Sequence, residues 1–192
     1  MLVYATHAGG RYLPISDSLK EQPEGKRNLY INVTNHCNCS CTFCLRQKKH
    51  MAEQSTLWYK DGEPTMRLDV LVELLHYVKT IQPELPTRLN TNGLGNLEYG
   101  EDITPKFDKV LDTISISLNA SNAERYYELT RAKYGIASYE GMLDFAQKAK
   151  RYVPNVVLTI VDHVEGPDEI AKCQKICDDR GLKLRVRPYE DH

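Results

Sequence analysis

Cys37-Asn38-Cys39-Ser40-Cys41-Thr42-Phe43-Cys44 places four cysteines within eight residues. Taken as Cys37, Cys41 and Cys44, the run has the spacing C-x₃-C-x-aromatic-C. Thiolates packed this closely hold a soft metal centre, and thiolate-rich sites favour zinc or iron–sulfur clusters. The number three is informative. A closed structural zinc site takes four ligands, whereas a four-iron cluster held by three cysteines leaves one iron open to another molecule. The preceding segment, Leu29-Tyr30-Ile31-Asn32-Val33, is apolar and strand-like, so the cysteines fall just past the end of a first strand.

Outward from this loop, strands and helices alternate. The spacing predicts strand two at Thr56–Tyr59, ending in the turn Asp61-Gly62-Glu63-Pro64. An amphipathic helix follows over Arg67–Gln82, with Leu68, Leu71, Val72, Leu75, Val78 and Ile81 at helical spacing. Strand three is Thr87–Thr91 and strand four Thr113–Leu118, separated by a short helix opened by Thr104-Pro105 and carrying Phe107, Val110 and Leu111. Ser121-x-x-Glu124 reads as a capping box that starts the next helix, with Tyr126, Tyr127 and Leu129. Tyr139–Tyr152 is a helix with Met142, Phe145, Ala146 and Ala149 inward. Strand five, Val156–Val161, is a near-continuous apolar run that suits a buried parallel strand. A helix over Pro167–Arg180, closed by Gly181, leads to strand six at Leu182–Val186. This alternation means βαβ units with a parallel sheet. Six such units are too few to close an eight-stranded barrel, so the expected fold is α/β, a partial (β/α)₆ barrel over residues 28–192. Residues 1–27 read as an N-terminal hairpin, with a turn at Gly9-Gly10 and a polar loop from Ser16 to Lys26.

With 192 residues the chain is long enough for a sizeable core, and 41% hydrophobic with 27% charged residues is ordinary for a globular domain. A formal net charge of −1 gives no global basic field of the kind that draws duplex nucleic acid. Four of the six cysteines are clustered, which suits a ligand set better than a disulfide framework. Thiolate ligands imply a reducing compartment, and no stretch approaches the apolar length of a membrane span. The expectation is a cytoplasmic protein with no membrane contact.

Four motifs together resemble the signature of the radical S-adenosylmethionine (SAM) superfamily. They are the cysteine run after strand one, Asp61-Gly62-Glu63-Pro64 like the family's GGEP loop, Leu89-Asn90-Thr91-Asn92-Gly93 like its TNG segment, and Ser115-Ile116-Ser117-Leu118-Asn119 like its SLD segment. Their order and spacing are those of a β/α repeat. More narrowly, GEP-x-MRLD, RLNTNGL, ITP, SISLNA, the helix before VVLTIVD and the closing RVR-x-Y resemble small radical SAM proteins linked to TatD-family nucleases, over Asn28–Tyr189.

The resemblance implies an enzyme with one [4Fe–4S] cluster, ligated by Cys37, Cys41 and Cys44, that cleaves SAM to a 5′-deoxyadenosyl radical. It implies an electron donor such as flavodoxin or ferredoxin, an unassigned and potentially macromolecular substrate, and an association with a TatD-family nuclease. It also implies SAM-binding roles along the strand ends. Phe43 would pack near adenine, and the backbone of Gly62, Glu63 and Pro64 would meet the SAM ammonium. Asn92, Ser117, Asn119, Val161 and Arg187 would line the site, and Arg131 would face the SAM carboxylate. Asp61 departs from the family's glycine. Each assignment has a plainer rival: a core aromatic for Phe43, a left-handed turn residue for Asn92, a solvated side chain for Arg131, and substrate binding or a structural ion pair for Arg187 and Tyr189. A zinc knuckle with Cys39 or His36 as fourth ligand is the rival for the cysteines, and Cys39 is otherwise a bystander facing away. Cys173 and Cys177 share a helical stripe with Ile170 and read as core residues rather than a second cluster. A non-catalytic metal protein and a SAM-dependent group transferase stay open as alternatives.

Overall fold

The computed structural model describes residues 2–6, 12–24, 26–44, 62–162, 164 and 166–188. Strand two, Asp61, the segment from Leu45 to Glu53, Gly9-Gly10 and Tyr189 lie outside the described residues.

Two sheets organise these residues. Strands β1 (Leu2–Thr6), β2 (Tyr12–Pro14) and β3 (Asn28–Asn32) form an antiparallel sheet of order β2-β1-β3. Strand β3 is the expected strand one. Its paired neighbour among the described residues is β1, with Val3 opposite Ile31 and Tyr4 opposite Tyr30. The Tyr4 and Tyr30 rings stack at 5.3 Å. The polar stretch expected as a loop instead forms helix α1 (Ile15–Glu21) directly after Pro14. Its Ser18 is fully buried, so packing on the hairpin overrides the polar composition.

The second sheet is parallel, with β4 (Arg88–Thr91), β5 (Thr113–Ser117), β6 (Asn155–Val161) and β7 (Lys183–Arg187) in that order. All four expected strands appear, each shifted by a residue or less at its ends. Between them run α2 (Leu68–Ile81), α3 (Gly95–Tyr99), α4 (Ala123–Thr130), α5 (Ala137–Ala149) and α6 (Pro167–Asp179). Short 3-10 helices occupy Pro64–Arg67 and Thr104–Phe107.

Register gives the sheet two unlike faces. Leu89, Ile114, Ile116, Leu158 and Ile160 share one face and are buried. They join Met142, Phe145, Ala146 and Ala149 of α5, Phe107, and Cys173 and Cys177 of α6 in one core. Both cysteines are fully buried there, as small hydrophobes. On α2, Leu68, Leu71 and Leu75 face the core, but Ile81, the last residue of the helix, is exposed. The opposite face is mostly polar, carrying Arg88, Asn90, Ser115, Ser117, Thr159, Arg185 and Arg187.

Caps show where local chemistry decided. Helix α6 ends in a Schellman motif: Gly181 has φ +59°, its N–H reaches Asp178 O, and Leu182 N–H reaches Cys177 O. The expected capping box is corrected. The N-cap of α4 is Asn122, whose Oδ1 accepts from Arg125 N at 2.9 Å, while Ser121 N–H donates to Glu169 of α6. A side-chain amide one residue nearer the first turn outcompeted the serine hydroxyl. Asn122→Ala is expected to cost about 1 kcal/mol, lowering Tm by roughly 3 °C in thermal unfolding, with no change in iron content after reconstitution.

Candidate active site

The carboxyl ends of β3, β4, β5 and β6 carry the quoted motifs, and parallel α/β folds gather their sites at these ends. The connecting piece is Glu63. It is 3% exposed, and its carboxylate accepts four hydrogen bonds. Oε1 receives Thr65 N–H (3.1 Å), Thr65 Oγ1 (2.8 Å) and Thr91 Oγ1 (2.6 Å), and Oε2 receives Asn92 N–H (2.7 Å). Burial pushes this carboxyl above its ordinary value, while the bonds from Thr91, Asn92 and Thr65 pull it back. One side chain thus caps the Pro64–Arg67 turn and clamps it to the end of β4.

The same loop is laid on the chain leading into the cysteines. Gly62 N–H donates to Thr34 O (2.8 Å) and Glu63 N–H to His36 O (2.7 Å). A Cβ at Gly62 would meet His36 O at 2.2 Å, with Asn35 C and Thr34 O at 2.7 Å. All three are backbone atoms, so only glycine permits this approach. Gly62→Ala is expected to part the two loops and cost about 3 kcal/mol, the upper end for overpacking. Thermal unfolding checks the stability, and iron retention after reconstitution reports the cysteine loop.

Helix α4 anchors the cysteine loop itself. The last carbonyls of a helix have no partner within it. Here Leu129 O and Thr130 O accept from Thr42 N–H (2.8 Å) and Ser40 N–H (2.9 Å), the residues flanking Cys41. Cys44 N–H closes a turn onto Cys41 O. Asn38, buried between the first two cysteines, receives Asn92 Nδ2 at 2.6 Å and donates to Glu98 Oε2 at 3.2 Å. Glu98 also accepts from Lys133 Nζ and the Tyr134 hydroxyl, and those bonds, Tyr134 foremost, help hold its carboxyl below the ordinary range. Asn38, Glu98, Thr65 and Thr91 are the positioning residues that sequence reasoning missed. Asn38 and Glu98 lie 60 positions apart, and no local pattern links them.

Cys37, Cys39, Cys41 and Cys44 are all half-buried and form no disulfide. Cys39 does not face away as expected. Hydrogen bonds with Cys37 and Cys41, then burial, hold its thiol protonated, and it packs against the core. Among the described residues no three His, Cys, Asp or Glu side chains are set to hold a single metal ion. His36 is exposed and lends only backbone atoms to the loop. The donor set, three soft thiols spaced along a loop tied down on both flanks, fits a cluster with a cysteine at each of three irons.

The remaining expected residues fall as follows. Phe43 is half-buried against the core edge. Asn92 is not a left-handed turn residue; that conformation belongs to Gly93, at φ +77°. The Asn92 amide donates to Asn38 and Cys39, and its Oδ1 accepts Leu94 N–H. Ser117 is half-buried at the end of β5, and Asn119 is buried beyond it at φ +59°, its N–H on Thr159 O. Arg131 is the C-cap of α4, exposed, at φ +47°, a conformation disfavoured for a residue with a Cβ. It directly follows Thr130, which anchors Ser40. Val161 and Arg187 pair at the ends of β6 and β7, on the polar face.

No family model matches the chain. By sequence it is similar to a probable GTP 3′,8-cyclase of Thermococcus kodakarensis, 27% identical over 154 residues, which covers 69% of this chain and 47% of that protein. A GTP 3′,8-cyclase of Mycolicibacterium smegmatis is 24% identical over 182 residues, 83% of this chain and 49% of that one. The chain thus spans about half the length of the curated relatives it matches. By structure it is similar to Streptococcus suis SuiB bound to SAM, with TM-score 0.57 and 15% identity over 92% of this chain and 44% of that one. The fold is the α/β partial barrel of radical SAM proteins. That superfamily consists of enzymes working with a [4Fe–4S] cluster and SAM.

Proposed function

We propose that this chain, built on the radical SAM fold, is a radical SAM enzyme with a single [4Fe–4S] cluster, acting on a nucleotide or nucleic acid. When bound and reduced, the cluster supplies one electron that breaks a carbon–sulfur bond of SAM, giving a 5′-deoxyadenosyl radical that takes hydrogen from substrate. The observation that carries the reading is one hydrogen-bonded chain, starting at the Glu63 carboxylate, that joins three motifs. Glu63 ties the GEP loop to Thr91 and Asn92, and Asn92 ties that turn to the cysteine loop through Asn38.

The chain's own residues have the following roles. Cys37, Cys41 and Cys44 ligate the cluster on a loop fixed by Leu129 O and Thr130 O. The Gly62-Glu63-Pro64 backbone meets the SAM ammonium, and the Glu63 carboxylate, committed to Thr65, Thr91 and Asn92, orients that backbone. Asn92 acts chiefly as a positioning residue, since its amide is committed to Asn38, Cys39 and Leu94. Ser117, Asn119 and Val161 line the SAM pocket beside Phe43, and Arg131, held beside the cysteine loop, faces the SAM carboxylate.

The nucleotide reading follows the relatives, which by name act on GTP. The narrower likeness to TatD-linked proteins adds a nuclease partner. Flavodoxin or ferredoxin supplies the electron. Residues 1–27 form an N-terminal extension to a barrel spanning 28–192. Among the described residues no helix is long and apolar enough to cross a membrane. We place the chain in the cytoplasm because its thiolate ligands need a reducing compartment.

The test is anaerobic reconstitution with iron and sulfide, reduction with dithionite, addition of SAM and chromatography for 5′-deoxyadenosine. Its formation is the expected result. A reconstituted cluster that neither binds nor cleaves SAM would overturn the enzyme reading.

A further inference from the structure

The polar face of the parallel sheet carries arginines from both of its edges and no acid. Register puts Arg88 and Asn90 of β4, Ser117 of β5, Thr159 of β6, and Arg185 and Arg187 of β7 on this face, opposite the buried Leu89, Ile114 and Leu158. No Asp or Glu occupies the face in any of the four strands. Arg88 Nε donates to Asn90 Oδ1 at 3.0 Å. Among the described residues the Arg185 and Arg187 guanidinium groups have neither an ion pair nor a hydrogen bond, and both residues are exposed.

Strands β4 and β7 are the two edges of the sheet. In a flat sheet they would stand three strand spacings apart, about 14 Å. Partial burial of Arg88 disfavours its charged form, and so do the charges of Arg185 and then Arg187. All three arginines lie on the same face by register, and the curl of a partial barrel turns that face of both edges toward one space. A chain with 26 acidic residues has ample means to neutralise them. Leaving three like charges together without a carboxylate is unfavourable in the free protein, and an anion entering the space relieves it.

We propose that Arg88, Arg185 and Arg187 form an anion subsite inside the open barrel that holds a phosphate or polyphosphate group of the substrate. Planar guanidinium forks match phosphate oxygens two at a time, and several forks around one space suit a multiply charged group better than a single carboxylate. Arg88 precedes Thr91, the residue tied to Glu63, by three positions, which is about 10 Å along the strand. Arg185 pairs with Thr159, itself beside Ser117, and Arg187 pairs with Val161, so the subsite runs from Arg88 up to the strand ends where the reacting carbon would lie. The inference rests on the radical SAM reading for where chemistry occurs, but the subsite itself needs no cluster.

The test uses the full reconstituted chain, with tripolyphosphate as the probe and titration calorimetry at low salt. Citrate provides a tricarboxylate comparison of similar charge. Tripolyphosphate is expected to bind at least tenfold more tightly than citrate. The double variant Arg185→Gln, Arg187→Gln should lose tenfold or more, and Arg88→Gln several-fold. Arg151→Gln, an exposed arginine in the turn after α5 and outside the sheet, should bind as the wild type does. Equilibrium dialysis with labelled SAM should give the same affinity in Arg88→Gln, a residue outside the SAM pocket, as in the wild type. Absent tripolyphosphate binding, citrate binding as tightly, or an equal loss in Arg151→Gln would each overturn the subsite. If tripolyphosphate binds as expected while the wild type neither binds nor cleaves SAM, the subsite stands and the radical SAM reading falls.

Discussion

Cys41→Ala is expected to yield no 5′-deoxyadenosine above background, measured by chromatography after anaerobic reconstitution. Cys37→Ala and Cys44→Ala should behave alike, because a cluster held at three corners has no spare protein ligand. Cys39 makes the experiment more discriminating. Its thiol lies within hydrogen-bonding reach of Cys37 and Cys41, so the Cys41 variant can recruit it and retain some iron. Iron content should therefore fall only in part in Cys41→Ala, and to background in the double variant lacking Cys39 and Cys41. Cys39→Ala alone should keep both iron and product, at a cost of about 1 kcal/mol for its packing. Loss of product in Cys39→Ala, with product retained in Cys44→Ala, would reassign the ligand set.

Glu63→Ala is expected to be the most destabilising single change at the site. It strands four donors at once: Thr65 N–H, Thr65 Oγ1, Thr91 Oγ1 and Asn92 N–H. A buried donor left without a partner costs about 1–3 kcal/mol. Even at the low end the sum is about 4 kcal/mol, a large part of a typical domain's stability. The expected readout is a fall in Tm of roughly 10–15 °C. Glu63→Gln keeps an oxygen for Thr65 and Thr91 but sets an amide N–H₂ against Asn92 N–H, so it should fall between the two. Exposed Glu73→Ala is the control and should leave Tm unchanged. The carboxyl's folded pKa lies above its unfolded value. Its contribution is thus fully present below the unfolded value, about 4.3, and declines as pH rises through the raised folded one. Glu63→Gln should remove that slope from a pH series of unfolding midpoints. A Glu63→Ala midpoint within 2 °C of wild type would mean that the loop junction is held by its backbone bonds alone.

Local chemistry was enough to read several features from the sequence alone. The cysteine spacing, the parallel strands β4 to β7, the inward set of α5 and the glycine that ends α6 each depend on residues within a few positions of one another. Periodicity and turn chemistry carry such information directly. Polar composition misled at Ser16–Lys26, where tertiary packing made a helix, and at Ser121, where the neighbouring Asn122 took the cap.

What tertiary structure alone decided is how the motifs are joined. Glu63 could be read as part of a turn, but not as the acceptor for four donors drawn partly from a strand end 28 positions away. Cys39 could be counted, but only folding set it among its neighbours rather than away from them. Asn38 and Glu98 carry no signal at all in one sequence, because a hydrogen bond across 60 residues leaves no trace in spacing. The arginines of β4 and β7 lie about a hundred residues apart along the chain, and only the curl of a parallel sheet brings them to one face. The reason is the same throughout. Ligand type and strand order are properties of neighbouring residues, whereas the fit of one loop against another depends on distances that exist only after the chain has closed on itself.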